Sequence, residues 1–414
     1  MFISQQQQHM KQHKTKNIKT FQHAIIPSDW EVKELGKLVD EKRPISYGIV
    51  QTGELVEGGV PCIRVTDIVN GKIETSNLIT TSKKISDGYK RTLLKKGDLV
   101  MALRGKIGQV AKIEDNLVDA NLTRGVALIA LRENYSNDFV LQQISSSETI
   151  KIFEKNLNGS ALQELSIGVL RKIKLPFPPL KEQKAIAALL NTWDTAIQKN
   201  TTLIACKELH KKWLMQKLLT GKGKNENHIL GNYIKEVSFR NKGNKITRVL
   251  SVTNSRGFID QEEQFDRIVA SQDLSNYKIV RKGQFAYNPS RVNVGSLDLL
   301  RKFEEGILSP MYVVFEPDTE KINKEYLFYL LKTSSFTARI PMFVQGSVRD
   351  TLSFDGLCGM KFFIPSLSKQ DTIVQVLKTI DKEIQLLTAK VTKLRTQKKG
   401  LTQQLLTGKK RLKI

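Results

Sequence analysis

The chain has 414 residues, 40% hydrophobic and 26% charged, which is the composition of a folded protein with about two to four domains. No apolar run approaches the roughly 18 residues that cross a bilayer, and residues 1–23 lack the apolar region of a signal peptide. The net charge of +25 and the pI near 9.8 instead indicate a polyanionic partner.

The N-terminal residues 1–27 are rich in Gln, Lys and His, and they predict a flexible tail. Cys62, Cys206 and Cys358 lie far apart, and neither a CxxC pair nor an HExxH motif is present. We therefore expect no metal site in this chain. Sparse, unpaired cysteines are typical of the reducing cytoplasm.

Two regions, residues 28–174 and 225–366, echo each other at a constant offset along the chain. Gly71 and Ile73 match Gly257 and Ile259, and Lys96-Gly97 matches Lys282-Gly283, whereas the residues between these anchors differ. This pattern predicts two domains of one fold that do the same job on different targets.

A stronger repeat follows each region at nearly the same offset. Leu218-Leu219-Thr220-Gly221-Lys222 recurs as Leu405-Leu406-Thr407-Gly408-Lys409. Further matched pairs are Gly159-Ser160 with Gly346-Ser347, Leu165-Ser166 with Leu352-Ser353, Pro178 with Pro365, Leu180 with Leu367, Gln183 with Gln370, and Asp194 with Asp381. We expect each Gly-Ser pair to form a backbone turn before the helix. The chain therefore carries an internal duplication.

Each repeated segment has the heptad spacing of a long helix that ends at a glycine cap. The second seam runs through Ile373, Leu377, Ile380, Ile384, Leu387, Val391, Leu394, Leu401 and Leu405, and the first through Ile186, Leu190, Trp193, Ile197, Ile204, Leu214 and Leu218. Polar residues interrupt the seams at Asn200, Lys207, Lys211 and Lys398. They favour pairing of the two helices at one register, although each helix could instead pack on its own domain.

The residues around these helices resemble a known family. Gly159-Ser160-Ala161-Leu162-Gln163-Glu164-Leu165-Ser166 and Leu175-Pro176-Phe177-Pro178-Pro179-Leu180-Lys181-Glu182-Gln183 look like a region of type I restriction–modification specificity subunits. Ile26-Pro27-Ser28-Asp29-Trp30 resembles the entry to that family's domains. The second copy departs from the pattern, because Pro365-Ser366-Leu367-Ser368-Lys369-Gln370 lacks the second proline and the glutamate.

The resemblance implies an α+β fold in which an antiparallel two-helix coiled coil separates two similar globular target-recognition domains, related by a pseudo-two-fold axis. The expected segments are a tail at residues 1–27, domain 1 at 28–180, helix 1 at 181–223, domain 2 at 224–366, and helix 2 at 367–414. Each domain would read one half of an asymmetric bipartite DNA site across an unread spacer.

The resemblance also implies partners. Two methyltransferase subunits would dock on the helices, and a restriction and translocase subunit would complete the complex. S-adenosylmethionine and ATP are expected on those partners and not on this chain. The predicted partner-binding residues are Gln183, Ile186, Leu190, Gln370, Ile373 and Leu377.

Motifs for catalysis are not found in the sequence. Asn288-Pro289-Ser290-Arg291 lacks the second proline and the aromatic ring of an adenine methyltransferase motif, and Arg104-Gly105-Lys106-Ile107-Gly108 does not match GxGxxG. We therefore expect a non-catalytic subunit. Two alternatives remain at this point: a standalone architectural or regulatory DNA-binding protein, and a catalytic subunit with fused recognition domains.

Candidate DNA-binding residues are those whose side chains suit phosphates or base edges and that fall in predicted loops. In the first domain they are Arg64, Thr66, Arg104, Lys106 and Arg124, and in the second Asn254, Arg256, Asn288, Ser290, Arg291 and Asn293. The mix of Asn, Ser and Arg in the second domain equally suits ordinary turns. Lys390, Lys393, Lys398 and Lys399 could face spacer phosphates or an acidic partner.

Overall fold

The computed structural model describes residues 18–21, 24–157, 163–221, 227–261, 273–344 and 351–413. The chain divides into two compact units. Unit 1 comprises Met1–Asn200 with Lys390–Ile414, and unit 2 comprises Thr201–Ala389. The division falls inside both long helices, so each unit contains part of each helix.

Unit 1 contains thirteen strands among its described residues. In chain order, β1 to β13 are Ile18–Phe21, Ala24–Pro27, Glu31–Glu34, Ser46–Tyr47, Val60–Ile63, Ile68–Val69, Lys72–Ile73, Ile79–Thr81, Leu99–Ala102, Val110–Lys112, Asn121–Leu122, Val126–Ile129 and Lys174–Phe177. Its α-helices α1 to α4 are Lys83–Asp87, Asn137–Ile144, Ser147–Glu154 and Ile167–Lys172, and the long helix α5, Leu180–Leu219, begins here.

Unit 2 is built from the same kinds of elements. Its described strands β14 to β23 are Asn227–Ile229, Ile234–Glu236, Leu250–Thr253, Gly257–Asp260, Lys278–Arg281, Phe285–Tyr287, Leu297–Leu299, Glu305–Leu308, Val313–Pro317 and Lys361–Phe363. Its α-helices α6 to α8 are Lys324–Leu330, Ser334–Phe343 and Phe354–Gly359, followed by the second long helix α9, Leu367–Leu406.

Each unit is organised on one four-stranded sheet, and the two sheets share a strand order. The order in unit 1 is β10-β9-β12-β4, and in unit 2 it is β20-β19-β22-β15, with all neighbours antiparallel. Taken element by element these strands correspond, and so do α2 to α4 with α6 to α8. The predicted duplication is therefore a duplication of fold.

A central strand separates two hydrophobic cores in each unit. Along β9, Leu99 and Met101 face the core that contains the helices, while Val100 and Ala102 face the other core. In β19, Phe285 and Tyr287 face the helices and Ala286 faces the opposite way. Because successive side chains of a strand point to opposite faces, a sheet covered on both sides needs this continuous apolar run.

The long helices α5 and α9 have the same length, 40 residues, and the same relation to their flanking residues. Each begins one or two residues after a proline and ends before a glycine with positive φ, which is +52° at Gly221 and +69° at Gly408. A Cβ at Gly221 would lie 2.3 Å from Cγ of Phe363, and one at Gly408 would lie 2.3 Å from Cδ of Pro27. Both the conformation and the close approach require glycine, which confirms the predicted caps.

Within each unit the two long helices run antiparallel. In unit 1, Asp194 pairs with Lys398, and Glu182 pairs with Arg411 just beyond the end of α9, so residue numbers rise along one helix as they fall along the other. In unit 2, Lys207 pairs with Glu383 and Lys211 with Asp381 in the same sense. The hydrophobic seam residues are buried or half-buried. The helices therefore pair with each other and also pack on the domains. Both arrangements that the sequence left open are present.

The six predicted partner-binding residues require a correction, because all of them are buried inside their own unit. Ile186 and Leu190 belong to the core of unit 1, and Ile373 and Leu377 belong to the core of unit 2. Gln183 and Gln370 are also buried. The heptad seam that made these residues candidates faces the sheet and the opposite helix, which leaves no surface for a partner at these positions.

The segment boundaries also differ from those predicted. Residues Ile18–Phe21 and Ala24–Pro27 form an antiparallel hairpin within the predicted tail, consistent with their apolar residues. The helices end at Leu219 and Leu406 and not at residues 223 and 414. Residues 1–17 and the predicted turns at Gly159-Ser160 and Gly346-Ser347 lie outside the described residues.

Candidate nucleic-acid interface

Three loops of unit 1 converge beyond the ends of its strands. They follow β5 at residues 64–66, β9 at 103–109, and β11 at 123–125. The amide of Thr123 donates to the carbonyl of Ile63 at 3.0 Å, and the amide of Leu103 donates to the carbonyl of Gly125 at 2.9 Å. These hydrogen bonds hold the three loops together, so residues distant in sequence share one surface.

Unpaired cations project from this surface. Arg104, Lys106 and Arg124 are exposed, and none of their side chains forms an ion pair or a hydrogen bond within the described part of the chain. The guanidinium of Arg104 lies over Gly125, where a Cβ would be 2.7 Å from its Nε atom. Free guanidinium groups on one surface suit bidentate bonding to phosphates or to guanine. The structure thus brings three of the predicted residues together.

The side chain of Arg64, in contrast, forms hydrogen bonds within its own unit. Its Nη2 atom donates to Oδ1 of Asp67 and to the carbonyl of Asn77, both at 2.8 Å. The hydrogen bond to Asp67 raises the pKa of the Arg64 guanidinium. Arg64 therefore stabilises its own loop, while its contact with DNA stays a prediction. Thr66 beside it is exposed.

Two loops of unit 2 meet in a corresponding way. The hairpin turn at residues 254–256 joins β16 to β17, and the loop at 288–296 joins β19 to β20. The side chain of Asn254 lies against Gly295, where a Cβ would be 2.3 Å from Oδ1 of Asn254. The hydroxyl of Ser296 donates to the carbonyl of Val252 at 2.8 Å. The predicted residues of this domain therefore also fall on one surface.

The predicted residues of unit 2 differ in how free they are. Ser290, Arg291 and Asn293 are exposed, as are Asn254 and Arg256. Neither arginine has a side-chain partner among the described residues. The carboxamide of Asn288, in contrast, accepts from the amide of Ser290 at 3.1 Å and directs its Nδ2 atom to the sulfur of Met311 at 3.6 Å. Asn288 therefore forms a turn at this surface, and its contact with DNA stays a prediction.

Met311 is an exposed residue that the sequence analysis missed. It lies between β21 and β22, it is 62% exposed, and its neighbour is the loop of Asn288. The repeat offered a signal, since β22 corresponds to β12, and the loop before β22 that contains Met311 therefore corresponds to the loop before β12 that contains Arg124. This correspondence becomes visible only when the strands of the two units are aligned with each other.

Backbone contacts fix the correspondence of the loops after β9 and β19. The amide of Leu165 donates to the carbonyl of Leu103 at 2.8 Å, and the amide of Leu352 donates to the carbonyl of Pro289 at 3.2 Å. Leu103 therefore corresponds to Pro289, and the next residue, Arg104, corresponds to Ser290.

The described residues contain neither a candidate metal site nor a candidate membrane-spanning helix. No group of three or more His, Cys, Asp or Glu side chains among them is placed to hold a metal ion. None of the helices in the described part of the chain is both long and apolar enough to cross a membrane.

Comparison with known proteins relates the chain to one family. The family described as "Type I restriction modification DNA specificity domain" matches residues 27–206 and again residues 231–396. The MjaVIII specificity subunit of Methanocaldococcus jannaschii is 23% identical, over 98% of both chains. The EcoBI specificity subunit of Escherichia coli is 29% identical, over 39% of this chain and 34% of that protein.

Solved structures share the fold. The type I restriction–modification S subunit from M. genitalium has a TM-score of 0.54 at 17% identity, and the match covers 94% of this chain and 97% of that one. A chain from a study of complex assembly and conformational transition of the type I restriction–modification system has a TM-score of 0.57 at 14% identity, covering 92% and 99%.

The two family matches together cover most of the chain, and they fall on the two units with the repeated sheet. Specificity subunits recognise DNA sequence, and the catalytic activities of these systems lie on other subunits. The chain belongs to the family of type I restriction–modification DNA specificity subunits and is a non-catalytic member of such a system.

Proposed function

We propose that the chain reads an asymmetric, two-part DNA sequence, with unit 1 on one half-site and unit 2 on the other. The observation that carries this proposal is the pairing of a repeated scaffold with different loop residues. The sheets have one strand order. The loops that correspond, however, carry Arg104 and Arg124 in unit 1 and Ser290 and Met311 in unit 2. Two like-built readers with different side chains would select two different half-sites.

Binding would combine charge and base contacts. The free side chains of Arg104, Lys106 and Arg124 in unit 1, and of Arg256 and Arg291 in unit 2, would neutralise phosphates or reach guanine in the major groove. Thr66, Asn254, Ser290 and Asn293 supply exposed hydrogen-bonding groups beside them. Each phosphate contact would steepen the salt dependence of binding.

Partner enzymes would supply the chemistry. We propose two methyltransferase subunits that use S-adenosylmethionine on adenine, and a restriction and translocase subunit that uses ATP, all in the cytoplasm. The exposed lysines of α9, Lys390, Lys393 and Lys399, would face spacer phosphates or these partners. Lys398 would not, since both oxygens of Asp194 bind its ammonium group, at 2.6 and 2.7 Å. The unread spacer would be set by the long helices that both units contain.

Co-expression with a methyltransferase subunit of such a system, followed by sequencing of methylated bases in the host DNA, tests this function. We expect methylated adenines in two half-sites at one fixed separation. The methyltransferase subunit alone and the specificity chain alone are the controls, and neither should produce the pattern. Methylation without a two-part sequence, or no methylation from the combined subunits, would contradict the proposal.

A further inference from the structure

The two reading surfaces differ most at one pair of corresponding loops. Arg124 follows β11 and precedes β12 in unit 1, and Met311 follows β21 and precedes β22 in unit 2. Both strands that follow, β12 and β22, lie centrally in their sheets beside β9 and β19, so the two loops are anchored alike. Where unit 1 presents a free guanidinium, unit 2 presents an uncharged, apolar side chain.

The side chain of Met311 is exposed, and its sulfur contacts the side chain of Asn288. The side chain is 62% exposed, and its described polar neighbour is Nδ2 of Asn288, 3.6 Å from the sulfur. Asn288 is itself fixed, because its Oδ1 atom accepts from the amide of Ser290 and its own amide donates to the carbonyl of Ser296 at 3.0 Å. Asn288 thus acts as a positioning residue for Met311.

The exposed groups around Met311 would all be useful against DNA. Ser290 and Arg291 project from the loop that Asn288 anchors, and Val294 on the same loop is 60% exposed. Phosphates offer nothing to an apolar side chain, and neither do the polar edges of guanine, cytosine and adenine. The one apolar group that the major groove displays is the C5-methyl of thymine.

Resting on the proposed function, we infer that Met311 is a specificity-determining residue that contacts the C5-methyl group of a thymine in the half-site read by unit 2. Unit 1 has Arg124 in the corresponding loop and reads a different group there. The two halves of the site are therefore distinguished by different physical contacts, an apolar one in unit 2 and a charge-assisted one in unit 1.

Replacement of thymine by deoxyuridine in the mapped site tests this inference, because it removes the methyl group and leaves base pairing intact. The half-site of unit 2 is the one that persists when residues 28–174 are exchanged for those of another family member. The assembled complex with its methyltransferase is assayed on duplexes with deoxyuridine in either half. For the wild-type complex, we expect about a fourfold loss of affinity from deoxyuridine in the unit 2 half, the effect of one buried methyl group.

Variants at position 311 separate a direct contact from a general effect on DNA. Met311→Ala should bind the thymine and deoxyuridine duplexes equally, while Met311→Leu should retain the preference for thymine. Arg124→Ala is the matched control in the corresponding loop, and it should leave the unit 2 preference unchanged. Because Met311 is exposed, neither substitution at that position should alter folding, which thermal unfolding of the complex checks.

Two outcomes would overturn the inference: wild-type affinity that is insensitive to deoxyuridine at every thymine of the unit 2 half-site, or a preference that survives in Met311→Ala. Each can occur while the complex still methylates a two-part site. Failure of the proposed function would appear earlier, as the absence of any such site.

Discussion

Unit 1 and unit 2 agree in their interiors and differ at their loops. Gln183 accepts from the amide of Ser136 at 3.0 Å and donates to the carbonyl of Pro178 at 2.8 Å. Gln370 accepts from the amide of Asn323 at 2.7 Å and donates to the carbonyl of Pro365 at 2.7 Å. Each glutamine thus ties the start of a long helix to the start of a shorter one. The exposed loop residues of the two units differ. This difference indicates that the fold constrains the interior residues, whereas a separate function constrains the loop residues.

A second shared contact lies along the helix pair. In unit 1, Asp194 binds Lys398 and accepts from Nε2 of Gln142 at 2.8 Å. In unit 2, Asp381 binds Lys211 and accepts from the hydroxyl of Tyr329 at 2.6 Å. The aspartate of each copy therefore pairs with the lysine of the other copy. Lysines at seam positions of a coiled coil disfavour other registers, so these pairs specify how the helices align.

The largest expected effect comes from removing the shared glutamine. Gln183→Ala would leave the partly buried amide of Ser136 and the buried carbonyl of Pro178 without their partner, at a cost of about 2–4 kcal/mol to unit 1. Gln370→Ala should do the same to unit 2. Hydrogen exchange measured by mass spectrometry would show lost protection in the affected unit. Gln198→Ala, an exposed substitution on the same helix, is the control; an equally small loss for Gln183→Ala would show that the two interiors are not held in this way.

A smaller effect is expected at the reading surface of unit 1. Arg124→Ala removes a free guanidinium and should cost about 2 kcal/mol in DNA affinity, roughly 30-fold, without loss of stability. Arg64→Ala should instead destabilise its loop, since Arg64 binds Asp67 and Asn77. Titration of the assembled complex with site-bearing DNA measures the first effect. Arg91→Ala, an exposed arginine outside the three loops, should bind normally, and a matching loss there would reduce the effect to nonspecific charge.

The smallest effect is expected at the ion pairs of the helices. Asp194 and Lys398 are both partly exposed, so their interaction should contribute about 1 kcal/mol. Asp194→Lys and Lys398→Asp should each weaken unit 1, and the double variant should recover most of the loss. Chemical denaturation of the four proteins as a double-mutant cycle measures the coupling. A coupling energy near zero would show that the lysines of the seam do not specify the alignment.

The sequence predicted the features that depend on spacing. Heptads, glycine caps and the constant offset between matched residues located the long helices and the duplication, because these follow from backbone geometry. Contacts between residues that lie far apart in the sequence were harder to predict. Gln183 looked like a surface residue of an amphipathic helix, and its burial depends on the amide of Ser136, 47 residues away. Lys398 looked free to face phosphates until Asp194, 204 residues away, was placed beside it.

The loop residues were predicted in part. Arg104, Lys106 and Arg124 were chosen by residue type, and the fold brings them together because backbone hydrogen bonds join the loops after β5, β9 and β11. Arg64 was chosen by the same criterion, yet Asp67 three residues later was a local signal that its charge would be neutralised. Met311 was missed because an apolar residue carries no charge signal, and only its place in the loop that corresponds to the loop of Arg124 marks it.

Exchange of residues 28–174 for those of another specificity subunit, followed by mapping of methylated adenines, tests most directly the claim that two like-built units read separate half-sites. The exchanged chain, co-expressed with its methyltransferase, should methylate a site in which one half has changed while the other half keeps its sequence. A site in which both halves change, or in which neither does, would contradict the claim.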